Sequence, residues 1–476
     1  LLLGTPGYFL MACRAPLGPG YEITHQQIRV RFVPEPDPHI RVEAAYDLRN
    51  NGFESLPQME LLLPSPRQFH FAPPSLLWDG QPLRSEASGA RLREVVLRLP
   101  EPWRGSARHS LLVSIDFQNG PAGEHTLGFK SDAFFLPAEG WSPVLLPARG
   151  LFATGGVPPQ AWDLLVTVPE GFLVHLSGRP LKSTRRGTEQ VLRAMHGFRD
   201  QFPMVMAGRF TATQVSAGKS QVHLWTRAPL DVAALRGLGQ ALTRAMDSYD
   251  ASFGRRAATS GDLWIVECPE VADCFSSSVS PYAKLILGED ETRAELVSSD
   301  TVIVDPHIGP RDMAATVAPS LAASWLGYAQ SPGFFQQTAP LSALPAFAAA
   351  IGREAVVGGQ IRSEIIRRAL GVIPMRPKQG EEEGPDVLRA RSLLFFYGLQ
   401  DRYGRQAVSG AIRYMLSARR ERGFVLSDLI AALEAESHQN VAEFVRLWMK
   451  HPGVPVEFRA RYQQQSVVTS IKESTP

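Results

Sequence analysis

Between Tyr21 and Val215 apolar residues recur at every second position, whereas beyond Asp231 they recur at every third or fourth. This change of period constrains the chain more than any single residue. Period two belongs to a half-buried strand, and a period near 3.6 belongs to an amphipathic helix. In the first half Ile28, Val30 and Phe32 share one face of QIRVRF. Ile40, Val42, Ala44, Tyr46 and Leu48 do so in the next run, and Leu111, Val113, Ile115 and Phe117 in HSLLVSIDF. Asn50-Asn51-Gly52 and Asp79-Gly80 supply turn signals between such runs. The pattern predicts antiparallel sheets with one solvated face.

In the second half Asp231 is placed as an N-cap. Val232, Leu235, Leu238, Leu242, Met246, Tyr249 and Phe253 follow it at helical spacing. Strands are expected over 263–267 and 283–287. Helices are expected over 343–350, 354–370, 386–403, 424–433 and 441–448, with an exposed loop over 373–385. The fold class is α+β. An N-terminal antiparallel β domain (21–215) precedes a mainly helical domain (216–458), with a leading segment (1–20) and a polar tail (459–476).

A chain of 476 residues suggests two to four domains. A net charge of +2 gives no reason to expect nucleic acid as a partner. Gly218-Lys219-Ser220 lacks the Gly that opens a phosphate loop, since Thr213 stands there, and Gly237-Leu238-Gly239 lies inside a helical pattern. There is no G-x-S-x-G elbow, and the 11 His form no H-x-x-x-H or H-x-H pair. The three Cys, at 13, 268 and 274, have no zinc-ribbon spacing; Cys268 and Cys274 either pair or remain two free thiols. Leu1 to Ala12 reads as the tail of a signal-peptide apolar region. Leu10-Met11-Ala12-Cys13 is close to a bacterial lipobox, which would lipidate Cys13 and attach the chain to a membrane. Export to the cell envelope or periplasm is therefore expected. No transmembrane helix is expected in the mature chain, because the most apolar run, 313–329, is short for a span at about 17 residues.

The run from Arg311 to Ala350 contains Ser324-Trp325-Leu326-Gly327 and Ser331-Pro332-Gly333-Phe334-Phe335. These segments resemble the zinc helix and following turn of the gluzincin aminopeptidases, the membrane alanyl aminopeptidase and leukotriene hydrolase type of zinc metallopeptidase. In that family an H-E-x-x-H helix runs into a Gln-Trp-Phe-Gly segment and a Thr-Pro-x-Trp-Trp turn, and a later Glu completes the metal site. In register with Trp325, the two His positions fall on Pro319 and Ala323, the Glu between them on Ser320, and the later Glu on Ser342. Two His at i and i+4 would converge on a metal, but Pro and Ala offer no donor and Ser is a poor ligand. Pro319 also lacks an N–H, so it is expected to begin or kink a helix rather than sit inside one.

The resemblance extends over residues 21–458. Phe202-Pro203-Met204 through Ala207-Gly208-Arg209-Phe210 looks like the close of the family's N-terminal domain, and Pro452-Gly453-Val454-Pro455 like its ending. It implies a thermolysin-like peptidase-type domain. Val279, in Ser276-Ser277-Ser278-Val279-Ser280-Pro281, stands where the family's Glu grips the substrate amine. The family's oxyanion-steadying Tyr falls near Arg389 or Ala390. The expectation is a non-catalytic, peptidase-like pseudoenzyme of the bacterial cell envelope with no catalytic residue, no metal and no cofactor. It would bind a peptide or protein partner. Trp325, Phe334, Phe335 and His307 are candidate binding residues, with core packing as the plainer reading for the three aromatics. The alternative is an active peptidase or hydrolase with a rebuilt site, using Ser320, Ser342 or Ser276–Ser278, or Asp305 and His307 as substitute ligands.

Overall fold

In the computed structural model the chain divides into two compact units, the first ending at Arg209 and the second running from Phe210. Described are residues 20–52, 55–64, 70–87, 94–118, 130–137, 140–146, 162–176, 179–196, 204–256, 262–268, 282–288, 294–298, 300–326, 340–375, 383–418, 425–450 and 453–462.

The first unit is built on a nine-stranded sheet. Its order is Arg179–Arg186, Glu189–His196, Trp162–Pro169, Tyr21–Val33, His39–Asn50, Arg108–Gln118, Ser75–Trp78 and Gln81–Pro82; the short His70–Phe71 also pairs with Arg108–Gln118. The alternation does the sorting. Ile28, Val30 and Phe32 pair with Ala44, Val42 and Ile40, which in turn face Val113, Ile115 and Phe117, and all of them are buried. The opposite face is solvated and carries cross-strand ion pairs, Arg41 with Asp116 at 2.8 Å and Arg31 with Glu189 at 2.8 Å. One pairing departs from the antiparallel expectation: Tyr21–Val33 runs parallel to Trp162–Pro169. A three-stranded and a four-stranded sheet complete the unit. Buried hydroxyls tie the layers together, as where Tyr46 donates to the carbonyl of Pro143 at 2.6 Å.

The second unit has a five-stranded sheet in the order Thr211–Ala217, Ser220–Thr226, Leu263–Glu267, Thr301–Val304 and Ala294–Ser298. Its first hairpin, turning at Gly218, spans the 215/216 boundary read from the sequence, with its first strand beginning at Thr211. Val215 and Ala217 belong to the core of this unit, together with Leu238 and Leu242. The helices are α1 (Val232–Phe253), α2 (Ala283–Leu287), α3 (Pro310–Leu326), α4 (Leu344–Val357), α5 (Gln360–Val372), α6 (Pro385–Tyr403), α7 (Arg405–Ala418), α8 (Leu426–Ser437) and α9 (Ala442–Lys450). A 3₁₀ turn, Leu341–Ala343, leads into α4, and residues 456–462 are helical. Asp231 caps α1, accepting from the Ala234 N–H at 2.7 Å. No described helix is long and apolar enough to cross a membrane.

Two sequence expectations need correction. Residues 283–287 form a helical turn, not a strand, with the N–H groups of Leu285 and Ile286 both bonded to the Tyr282 carbonyl. A short apolar run does not distinguish the two states, and Ala, Lys and Leu are good helix formers. The α4–α5 boundary falls at Gly358 and Gly359, where φ at Gly358 is +111°, rather than near residue 352. Pro319 lies inside α3 and is buried there.

Candidate functional site

The candidate site is built on α3, which packs against α1, α4 and the strands Ala294–Ser298 and Thr301–Val304. Ala318, Ala322 and Trp325 recur on the flank that meets α1. Tyr249 of α1 is fully buried and donates to the Ala318 carbonyl at 2.6 Å. Its ring is 4.9 Å from that of Trp325, whose indole N–H donates to Asp250 at 2.8 Å. The tyrosine needs Gly352 of α4, because a Cβ there would lie 1.7 Å from the phenol oxygen. Trp325 is thus 4% exposed and part of the core.

Pro319 and Ala323 lie one turn apart on the next flank. Pro319 removes the N–H that would otherwise reach the Ala315 carbonyl, so packing must carry the helix through this turn. Ser320, half-buried, donates its hydroxyl to the carbonyl of Ala294 at 2.8 Å. Ser342 sits in the 3₁₀ turn that precedes α4, near the phenol of Tyr282. Burial pushes the Tyr282 phenol up, while the neighbouring Ser342 hydroxyl and the charge of Arg389 pull the other way. Arg389 itself pairs with Asp386 at 2.8 Å, and Ala390 is fully buried.

Ser342 and the charge of Arg389 both act on Tyr282, a residue that sequence reasoning passed over. Tyr282 directly follows the Ser276–Pro281 stretch, and that adjacency was the one available signal. His307 stands apart on an exposed turn; its backbone N–H donates to Asp305 at 2.8 Å, and its ring Nδ1 lies 2.9 Å from the same carboxylate oxygen. Cys268 is fully buried and forms a disulfide. Val279, Ser276–Ser278, Phe334, Phe335, Cys13 and Cys274 lie outside the described residues.

No family model matches the sequence, and no curated protein matches it. Solved structures do match in shape. An M1 zinc metallopeptidase from Deinococcus radiodurans is 16% identical, with 92% of this chain and 96% of that chain covered and a TM-score of 0.56. A mutant of an M1 zinc metallopeptidase from the same organism, bound to a Tyr-Ser-Ala substrate, has a TM-score of 0.57 at the same identity and coverage. Aminopeptidase A of Legionella pneumophila, in complex with aspartic acid, is 12% identical, with 91% of this chain and 50% of that chain covered and a TM-score of 0.55.

The fold is that of the M1 zinc metallopeptidases.

The M1 fold implies a zinc ion, so the donor set can be tested against one. Zinc takes thiolate, imidazole or carboxylate ligands, and a catalytic site uses three of them. Of the four positions in register, Pro319 and Ala323 have no donor atom. The hydroxyl of Ser320 donates to a carbonyl, and the hydroxyls of Ser320 and Ser342 are poor zinc ligands. Among the described residues no group of three His, Cys, Asp or Glu side chains is placed to hold a metal ion. These four residues do not fit a zinc ion.

Behind α4 the scaffold is cross-braced. Glu354 accepts from Arg405 of α7 at 2.6 Å and from the Tyr397 phenol of α6 at 3.0 Å. Arg362 of α5 lies 4.7 Å over the Tyr397 ring and pairs with Asp401 at 3.1 Å. Asp401 also accepts from Tyr462 at 2.9 Å. The brace fixes the helices that carry Ser342 and Arg389 without contributing a metal donor set of its own.

Proposed function

We propose that this chain is a non-catalytic relative of the M1 aminopeptidases that uses the peptidase-type cleft to bind a peptide or protein partner. The observation that carries this reading is the character of the α3 flank. A pyrrolidine ring, a methyl group and a hydroxyl bonded to backbone occupy the positions where a zinc helix needs two imidazoles and a carboxylate. The loss is large in energetic terms. A bound metal takes the pKa of water from 15.7 to about 7, and a general base adds roughly a hundred- to ten-thousand-fold. The neighbours support a peptide as the class of ligand, since one of them was solved with a Tyr-Ser-Ala substrate. The apolar N-terminal segment and Cys13 support a cell-envelope location for this binding, with a lipid on Cys13 as the attachment.

Zinc titration by calorimetry on the full chain should show no stoichiometric site, and an aminoacyl-coumarin panel should show no chelator-sensitive turnover. A nanomolar one-to-one zinc site would end the reading. Loss of palmitate labelling in Cys13→Ala tests the lipid separately.

The second reading is an active hydrolase with a rebuilt site. Such a site needs a nucleophile beside a base; Ser342 lies near Tyr282, but burial raises that half-buried phenol and keeps it protonated, so it is a donor and not a base. Turnover that survives chelator and disappears in Ser342→Ala would favour it over the first. Ser320 is the weaker nucleophile because it donates to the Ala294 carbonyl.

A further inference from the structure

The end of α6 and the outer face of α9 enclose a groove of about 450 Å³ that none of the residues above enters. Its floor is apolar. Tyr403 meets Phe444 edge-on with ring centroids 5.7 Å apart, and Leu447 is 45% exposed beside them. Its rim is cationic. Arg402, Arg446 and Lys450 line it against a single acid, Glu443. The Arg446–Glu443 pair is long, at 3.9 Å, and both side chains are largely solvated, so it neutralises little. Glu434, whose charge also reaches Tyr403, is committed elsewhere: it accepts from the N–H groups of Val441 and Ala442 at the start of α9. The phenol of Tyr403 donates to the Asn440 carbonyl at 3.0 Å, which fixes the ring in the floor.

Part of this has a plain structural reason. Arg402 and Lys450 occupy the last turns of α6 and α9, where cations complement the carbonyl ends of helices. Arg446 stands mid-helix and has no such role, and an exposed Leu447 beside a tyrosine–phenylalanine floor has none either. We propose that this groove is a docking site for an acidic peptide segment carrying one apolar side chain. The carboxylates would lie among Arg402, Arg446 and Lys450, and the apolar side chain on Tyr403, Phe444 and Leu447. The volume is that of a cleft for a short peptide. The concave shape suits a chain rather than a bilayer, which is flat on this scale and needs a protruding basic surface. The proposal does not depend on the α3 cleft, because it uses none of its residues.

Fluorescence anisotropy on the full chain tests it, with a fluorescein-labelled peptide of Asp and Glu around one central Phe. Saturable binding is expected at low salt and should weaken as salt screens the rim. The Arg446→Glu, Lys450→Glu double variant should lose about tenfold or more, since like charges at an interface cost several kcal/mol. Glu443→Gln should tighten binding, a result that a purely structural role for these charges would not produce. If the double variant does not fold, as judged by circular dichroism, the exposed single change Arg446→Gln gives the same test with a smaller loss. Absence of saturable binding overturns the proposal, and so does unchanged affinity in the folded variants. Binding to anionic phosphatidylglycerol vesicles without the peptide overturns it in favour of a membrane surface. Concentration-dependent dimerisation that the same substitutions abolish, without peptide binding, overturns it in favour of a second copy.

Discussion

The flank of α3 that meets α1 and the flank that carries Pro319 and Ala323 are neighbours on one helix, yet they are specified in different ways. The first is fixed by contacts that allow little change. Tyr249 donates to the Ala318 carbonyl, Trp325 to Asp250, and Gly352 makes room for the phenol. The second carries groups that any buried alanine-rich helix could carry. Protein interiors are close-packed, so a fold is held by the first kind of surface. Chemistry depends on the second kind, which can change without moving the first. The M1 fold is matched at 16% identity, while Pro319 and Ala323 carry no side-chain donor atom.

The sharpest test of this contrast restores the second flank on top of the first. Pro319→His, Ala323→His and Ser342→Glu together should turn a chain without a stoichiometric zinc site into one that binds zinc at micromolar affinity or better, about 8 kcal/mol by calorimetry. Failure in a folded variant would mean that the three positions do not converge, and the register with Trp325 would be wrong. On the packing flank, Gly352→Leu should destabilise the second unit by about 3 kcal/mol, since overpacking a full core costs that order. Urea unfolding measures it, and a loss under 1 kcal/mol would show that the Tyr249 pocket gives way more easily than the 1.7 Å approach indicates.

How much of this was legible follows the range of the interactions. The first unit's buried faces were readable because a strand's two faces are written in adjacent residues, as in Ile28, Val30 and Phe32. The start of α1 was readable because Asp231 bonds three residues ahead. The parallel pairing of Tyr21–Val33 with Trp162–Pro169 was not, because nothing local encodes a partner so distant in sequence. Residues 283–287 were read as a strand because five apolar-rich positions cannot separate the two periods. The helix α7 was passed over although Val408, Ala411, Ile412 and Met415 show its spacing and are buried. At the candidate site the identities at Pro319, Ser320, Ala323 and Ser342 needed only the register with Trp325. The influence of Ser342 and Arg389 on Tyr282 links three elements far apart in the chain, and only the fold reveals it.

The helix-breaking residue on the bare flank gives a smaller test. Pro319→Ala restores an N–H to the middle of α3, a gain of up to about 3 kcal/mol. The more flexible unfolded chain takes back roughly 0.4–1 kcal/mol. Net stabilisation of about 1–2 kcal/mol in urea is expected. Destabilisation would show that the buried pyrrolidine ring is itself a packing element, and the two flanks would then be less different than argued above.

The smallest effect tests the packed flank through pH. Tyr249→Phe removes the hydrogen bond to the Ala318 carbonyl and should cost about 1 kcal/mol at neutral pH. Burial holds the Tyr249 phenol far above its ordinary value. Below pH about 10 the group is protonated in both folded and unfolded chains and adds no pH dependence. Above that the unfolded chain releases the proton and the folded one retains it, so stability falls as pH rises, by about 1.4 kcal/mol per unit for one proton. Tyr397, in the same unit and also raised by burial, contributes in the same direction. The Phe variant should therefore begin less stable near pH 8 and lose stability less steeply toward pH 11, so that the gap between the two proteins narrows as the solution becomes alkaline. Parallel urea midpoints across that range would mean that the phenol reaches solvent before the unit unfolds, and the packed flank of α3 would have to be looser than its hydrogen bonds imply.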